Sequence, residues 1–217
     1  MAQAESRTER LESLFADFNP ADWPLVADSN QGTIVRVQAP GLDLAVKSPR
    51  GRGIAREARR LSLRREFQAY RRIAGLAGFP RCLGLFGGCH LALEYLEGDL
   101  LRHAIPPDRP RFFDELRQII VAMHGRGVAH GDLKSRKNVL VASDGRPAII
   151  DLGAAVVRRP GWRPLNHWLF GYLRQIDLNG WVKLKYGSYD RVDELDRHLV
   201  RRSRIERVNH WARRRGL

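Results

Sequence analysis

His130-Gly131-Asp132-Leu133-Lys134-Ser135-Arg136-Lys137-Asn138-Val139-Leu140, followed by Ile149-Ile150-Asp151-Leu152-Gly153, are the two segments that decide how this chain is read. Each is a short polar loop bordered by an apolar run. Val139–Ala142 and Ala148–Ile150 read as the arms of a hairpin, with Asp144-Gly145 at its turn. The loops carry two acidic residues, a lysine and an asparagine. Oxygen donors of this kind suit a hard divalent cation, and a free carboxylate beside them can take a proton from a hydroxyl.

Upstream, Phe112, Phe113, Leu116, Ile119, Ile120 and Met123 fall on one face of a helix expected over 109–124. Pro110 starts it, and Gly125 and Gly127 end it. Glu97-Gly98 reads as a linker. Before it come two strands, Cys82–Phe86 and His90–Tyr95, joined at Gly87-Gly88. An arginine-rich helix spans 54–74, with Leu63, Phe67 and Tyr70 on its apolar stripe. Three β-like runs precede it: Trp23–Ala27, Thr33–Gln38 and Leu42–Lys47. Residues 1–20 read as an N-terminal extension, with Leu11, Leu14, Phe15 and Phe18 at helical spacing and Asn19-Pro20 as the stop. Residues 158–217 read mainly as helices and loops rich in Arg and Trp. Five strands with one inserted helix, then mostly helices, give an α+β chain in two parts. These are residues 21–97 and 98–217, with the boundary near Gly98.

Bulk properties narrow the classes. With 217 residues and 43% hydrophobic content, the chain can bury a core and is not of disordered composition. It has no uninterrupted apolar run of membrane-spanning length and no secretory signal at Met1–Asp17. A cytoplasmic protein is therefore expected, with Cys82 and Cys89 as reduced, semi-buried fillers. The net charge of +14 favours polyanionic partners, although a solvated arginine-rich surface explains it equally. The arginines cluster over 50–72, 158–174 and 201–215.

The order of these segments resembles the protein-kinase-like superfamily over about residues 23–182. Leu44-Ala45-Val46-Lys47 is similar to its phosphate-binding lysine strand. The run from Ala122-Met123-His124 through Gly127-Val128 to His130-Gly131-Asp132-Leu133-Lys134 is similar to its catalytic loop, and Asp151-Leu152-Gly153 to its magnesium loop. The resemblance implies a two-lobed fold, with a five-stranded antiparallel N-lobe sheet carrying one helix and a shortened helical C-lobe. It also implies ATP and Mg2+ as the nucleotide and metal. By that resemblance Asp132 is the proton acceptor and Lys134 reaches the transferred phosphoryl group. Asn138 and Asp151 hold the metal, and Lys47 contacts the phosphates, oriented by Glu66 or by its competitor Glu57. Gly32 covers the phosphates, and the backbone of Glu94 and Leu96 meets the base. His130 props the loop. Asp177 either braces that loop or caps a helix.

Three departures stand out. Five residues, not four, separate Asp132 from Asn138; a bulge near Ser135–Lys137 would restore the metal ligand. Gly32 is alone where several glycines are usual. The chain after Asp151 is short and has no Ala-Pro-Glu segment. The expected acceptor is a hydroxyl, of a protein Ser/Thr or, alternatively, of a lipopolysaccharide core sugar or other lipid-linked glycan. A nucleotide-binding pseudokinase scaffold is the third reading. Trp162, Trp168, Phe170, Tyr172 and Trp181, interleaved with arginines, suit a peripheral contact with an anionic membrane surface, a nucleic acid, or a small core.

Overall fold

Alternating apolar residues in three successive runs build one side of an antiparallel sheet. The computed structural model describes residues 2–29 and 32–201, without the side chains of 2–6 and Ser29; Asn30, Gln31 and the arginines of 202–215 lie outside the described residues. Helix α1 (Ala2–Ala16) leads into β1 (Leu25–Ser29), β2 (Gly32–Ala39) and β3 (Leu42–Ser48), then α2 (Gly53–Arg72), β4 (Cys82–Phe86) and β5 (His90–Glu94). The five strands form one sheet in the order β1-β2-β3-β5-β4, antiparallel throughout.

Period-two alternation sorts the side chains to opposite faces. Leu42, Leu44 and Val46 point with Val35, Val37 and Ala92 into a cluster closed by Leu11 and Phe15 of α1. The other face receives α2, and there Leu91 and Leu93 join Leu63 and Tyr70. Lys47 pairs in register with Leu91, so it emerges on the α2 side. Residues 1–20 are thus no detached extension. Phe15 stacks on Phe86 with ring centroids 4.1 Å apart, so α1 is the cover of the sheet.

The chain then runs through β6 (Gly98–Leu100), α3 (Arg109–Gly125), β7 (Val128–Ala129), β8 (Val139–Ala142), β9 (Pro147–Ile149), β10 (Val156–Val157), α4 (Pro164–Tyr186) and α5 (Glu194–Arg197). Strands β6, β8 and β9 form a small sheet, and β7 pairs with β10. The expected linker at Glu97-Gly98 is a correction: Gly98 pairs with Ala142 as the first residue of β6. A Cβ at Gly98 would collide with the Val141 carbonyl, so glycine here serves close approach of two strands and not a free hinge. Asp108 caps α3 by accepting from the Arg111 N–H at 3.1 Å, with Pro110 in the first turn as expected.

Phe112, Phe113, Leu116, Ile120 and Met123 of α3 and Trp181 of α4 share one cluster with Leu63, Tyr70, Leu91 and Leu93. The sheet part and the helical part are therefore fused through a common core. The Trp181 indole donates to the Phe113 carbonyl at 2.7 Å, which satisfies the one polar atom of that ring. Trp181 finishes the core, whereas Trp162 and Trp168 are 89% and 64% exposed. Both cysteines are free, with Cys89 buried and Cys82 half-buried. No helix among the described residues is long and apolar enough to cross a membrane.

Phe15→Ala removes the ring that seals the outer face of the sheet. It should lower unfolding stability by about 3 kcal/mol, the cost of truncating a buried aromatic side chain, in urea denaturation. Unchanged stability would mean that α1 does not cover the sheet.

Candidate active site

The register that turns Lys47 toward α2 puts its ammonium 2.5 Å from Glu66 and 2.9 Å from Asp151. The Lys47 side chain is 13% exposed and that of Glu66 is 3% exposed. Burial alone would push the ammonium down, but the two carboxylates outweigh it and hold Lys47 above its ordinary range. Burial pushes the Glu66 carboxyl up against the pull of Lys47. Of the two candidate glutamates, Glu66 is the partner. Glu57 pairs with Arg60 on the outer surface of α2.

Asp151 is the only described non-glycine residue with positive φ, at 65°. Aspartate tolerates this left-handed conformation better than most side chains. Its Oδ1 accepts from Lys47 and, at 3.2 Å, from the Gly153 N–H. Burial raises its carboxyl, but the Lys47 charge and these two hydrogen bonds outweigh that and hold it below the usual range. The side chain stays 45% exposed, so a charged carboxylate faces the opening. Tyr70, one turn after Glu66, was placed on the apolar stripe by spacing. It is buried, and burial pushes its phenol well up, so it stays neutral beside this cluster.

The loop carrying Asp132 is fixed from three directions. The fully buried Asp177 accepts the His130 and Gly131 N–H groups, each at 2.8 Å, and contacts His124 Nε2 at 2.9 Å. Asp177 lies in the interior of α4, which rules out the capping alternative. Three residues on, a Cβ at Gly180 would stand 2.8 Å from the Lys134 nitrogen. Only glycine lets α4 and the loop pack this closely. The Asp132 N–H donates to His130 Nδ1, so His130 carries its proton on Nε2 and donates it to the Ile150 carbonyl at 3.2 Å. His130 does prop the loop, and it ties that loop to the one carrying Asp151.

The additional residue before Asn138 is absorbed by two consecutive turns. Ser135 N–H donates to the Asp132 carbonyl, and Asn138 N–H to the Ser135 carbonyl. Asn138 is buried, and its amide N–H2 donates to the Asp132 carbonyl at 2.9 Å and to Asp132 Oδ2 at 3.1 Å. Its backbone carbonyl accepts from the Ile150 N–H, next to Asp151. Asp132, Asn138 and Asp151 are thus stitched together, with the amide oxygen of Asn138 left for another partner.

Other expected residues stand differently. Lys134 is exposed and forms no ion pair with any described carboxylate, so its ammonium is not gathered into the cluster. Gly32 opens β2 and lines the cleft beside Lys47. Glu94 ends β5; its N–H already donates to the Arg81 carbonyl, and its carboxylate accepts the Arg81 N–H. Leu96 follows β5, and its backbone makes no hydrogen bond to another described residue.

The donor set fits magnesium and phosphate: one charged carboxylate, one amide oxygen and a permanently charged lysine. No cluster of three or more His, Cys, Asp or Glu able to hold a metal occurs among the described residues. The cleft between Gly32, Lys47 and Asp151 encloses only about 30 Å³. In comparison with known proteins, no family model matches the chain, and no curated protein is similar to it.

Asp177→Asn keeps the shape of the side chain but sets an amide N–H2 against N–H donors. It should cost about 3 kcal/mol in urea denaturation and speed amide exchange at His130 and Gly131. Unaltered exchange would mean that Asp177 does not hold the loop. The lowered carboxyl of Asp151 contributes stability that is complete above the ordinary carboxylate range, near about pH 4, and lost as pH falls through its lowered value. Asp151→Asn should therefore lose less stability than the native chain across that acid window. Superimposable acid limbs in the two proteins would contradict this.

Proposed function

We propose that the protein is an ATP- and magnesium-dependent phosphotransferase of protein-kinase-like fold that delivers the γ-phosphoryl group to a hydroxyl. The observation that carries this reading is the joint meeting of Lys47, Glu66 and Asp151 from a strand, a helix and a loop, beside the Asp132–Asn138 hydrogen bond.

In this reading Lys47 binds the α- and β-phosphates, and Glu66 keeps its ammonium charged and aimed. Asp151 and the amide oxygen of Asn138 hold the magnesium, which neutralises phosphate charge when bound. Asp132, fixed by Asn138, orients the acceptor hydroxyl and takes its proton as the oxygen attacks. Asp177 and His130 keep the loop in place, so little reorganisation is needed at the moment of reaction. Gly32 sits where backbone must pass close to phosphate. The free backbone of Leu96 suits a base edge, and Glu94 can offer only its carbonyl. Exposed Lys134 is free to swing toward the phosphoryl group.

A protein serine or threonine is the first acceptor to try. A lipid-linked glycan is the second, favoured by the exposed Trp162 and Trp168 in an arginine-rich segment suited to a membrane surface.

With labelled ATP and magnesium, the native protein should label a generic protein substrate or extracted lipopolysaccharide. Asp132→Asn should lower that transfer by at least about 100-fold while ATP still binds. ATP binding with no transfer to either acceptor would make the chain a pseudokinase scaffold. Because so few protein ligands are available, magnesium should bind only in the presence of nucleotide. Calorimetric detection of tight magnesium binding to the protein alone would contradict that assignment.

A further inference from the structure

A far larger cavity than the Lys47 cleft, of about 740 Å³, lies elsewhere in the molecule. It opens between the C-terminal ends of α2 and α3, the segment after β10, and the first half of α4. Its wall shares no residue with the cleft at Lys47. The volume falls within the range usual for small-molecule sites.

Five arginines line it: Arg72, Arg126, Arg158, Arg159 and Arg174. Among the described residues none of them is within ion-pair distance of a carboxylate, as is also true of several arginines elsewhere; what sets these five apart is that they line one cavity. Of the five, the Arg72 side chain donates to the Arg126 carbonyl at the C-terminal end of α3, at 2.9 Å; the other four have no side-chain hydrogen bond to another described residue. Five exposed arginines around one concavity, with no described carboxylate in ion-pair distance, create a positive field that a solvated convex surface would not focus. Phe170 gives the cavity an apolar floor, and Arg174 lies over its ring at 5.8 Å.

We infer that this cavity is a second anion site, distinct from the Lys47 cleft, that binds a ligand carrying several phosphate charges. Guanidinium forks match phosphate oxygens two at a time, and five of them exceed what one carboxylate or one phosphate monoester can satisfy. A pyrophosphate or triphosphate group, or clustered phosphates of a lipid headgroup, supplies the matching charge. The site stands whether or not the chain transfers phosphoryl groups. One wall residue, His124, also contacts Asp177, so an occupant sits one side chain away from the support of the Asp132 loop.

The test is calorimetric titration of the full chain with sodium tripolyphosphate in about 0.1 M salt, where exposed charges are largely screened beyond about 10 Å. Saturable binding near one equivalent is expected. Arg158→Ala/Arg159→Ala should weaken it at least about 10-fold, as should Arg126→Ala/Arg174→Ala, which covers the case in which the first pair fails to fold. Arg64→Ala/Arg65→Ala removes the same charge from exposed positions on α2 and should leave it unchanged. Lys47→Ala should also leave tripolyphosphate binding in the cavity intact. Loss of ATP binding in Lys47→Ala alone would then report on the cleft and not on the cavity. Sedimentation with phosphatidylcholine vesicles containing phosphatidylglycerol separates the sources. Vesicle binding lost in the cavity variants and competed by tripolyphosphate identifies a lipid headgroup, and tripolyphosphate binding without vesicle binding identifies a soluble ligand. Equal weakening by the α2 control pair, unsaturable binding, or no binding of either probe would overturn the site.

Discussion

One nearly buried ammonium joins three distant parts of this chain. Lys47 leaves β3 on the face that α2 covers and meets Glu66 of that helix and Asp151 of the loop after β9. A charge so withdrawn from water is tolerated only with partners, and removing one partner of such a group commonly costs about 3–5 kcal/mol. The contact therefore does more than decorate a cleft. It ties α2 to the sheet, and its partner Asp151 stands in a left-handed conformation that few side chains adopt. Both partners line the small cleft beside Gly32.

A second buried charge organises the facing loop. Asp177 presents both oxygens to main-chain N–H groups of His130 and Gly131, and Gly180 lets the helix approach the next residues of the same loop. The position of Asp132 is thus set by backbone contacts and is insensitive to the identity of many loop side chains. Two turns carry the five residues from Asp132 to Asn138, and the amide reaches Asp132.

Much of the sheet was legible because its signals are local. Alternation in Thr33–Gln38 and Leu42–Lys47, the Gly87-Gly88 turn and the stripe from Phe112 to Met123 each specify an element without reference to the rest of the chain. The pairing of Lys47 with Glu66 was legible only as a choice between two glutamates, because helix phase had to be fixed by packing of Leu63 and Tyr70. The docking of α1 was not legible: the spacing of Leu11 and Phe15 makes a helix but does not say that Phe86 awaits it. Gly98 was read as a break because glycine usually is one; its role is proximity to the Val141 carbonyl, a long-range fact. The arginine cavity was invisible for the same reason. Its five guanidiniums come from four separate segments, and only the fold reveals that the acidic residues are elsewhere.

We propose that a magnesium-bound triphosphate enters the cleft at Lys47 while Glu66 stays with Lys47. A crystal structure of the protein with magnesium and a non-hydrolysable ATP analogue tests it most directly. The account predicts phosphate oxygens within hydrogen-bond distance of Lys47 Nζ, metal bound to Asp151 and Asn138, and the Lys47–Glu66 pair retained. A nucleotide lodged only among the arginines, with no phosphate at Lys47, would contradict it.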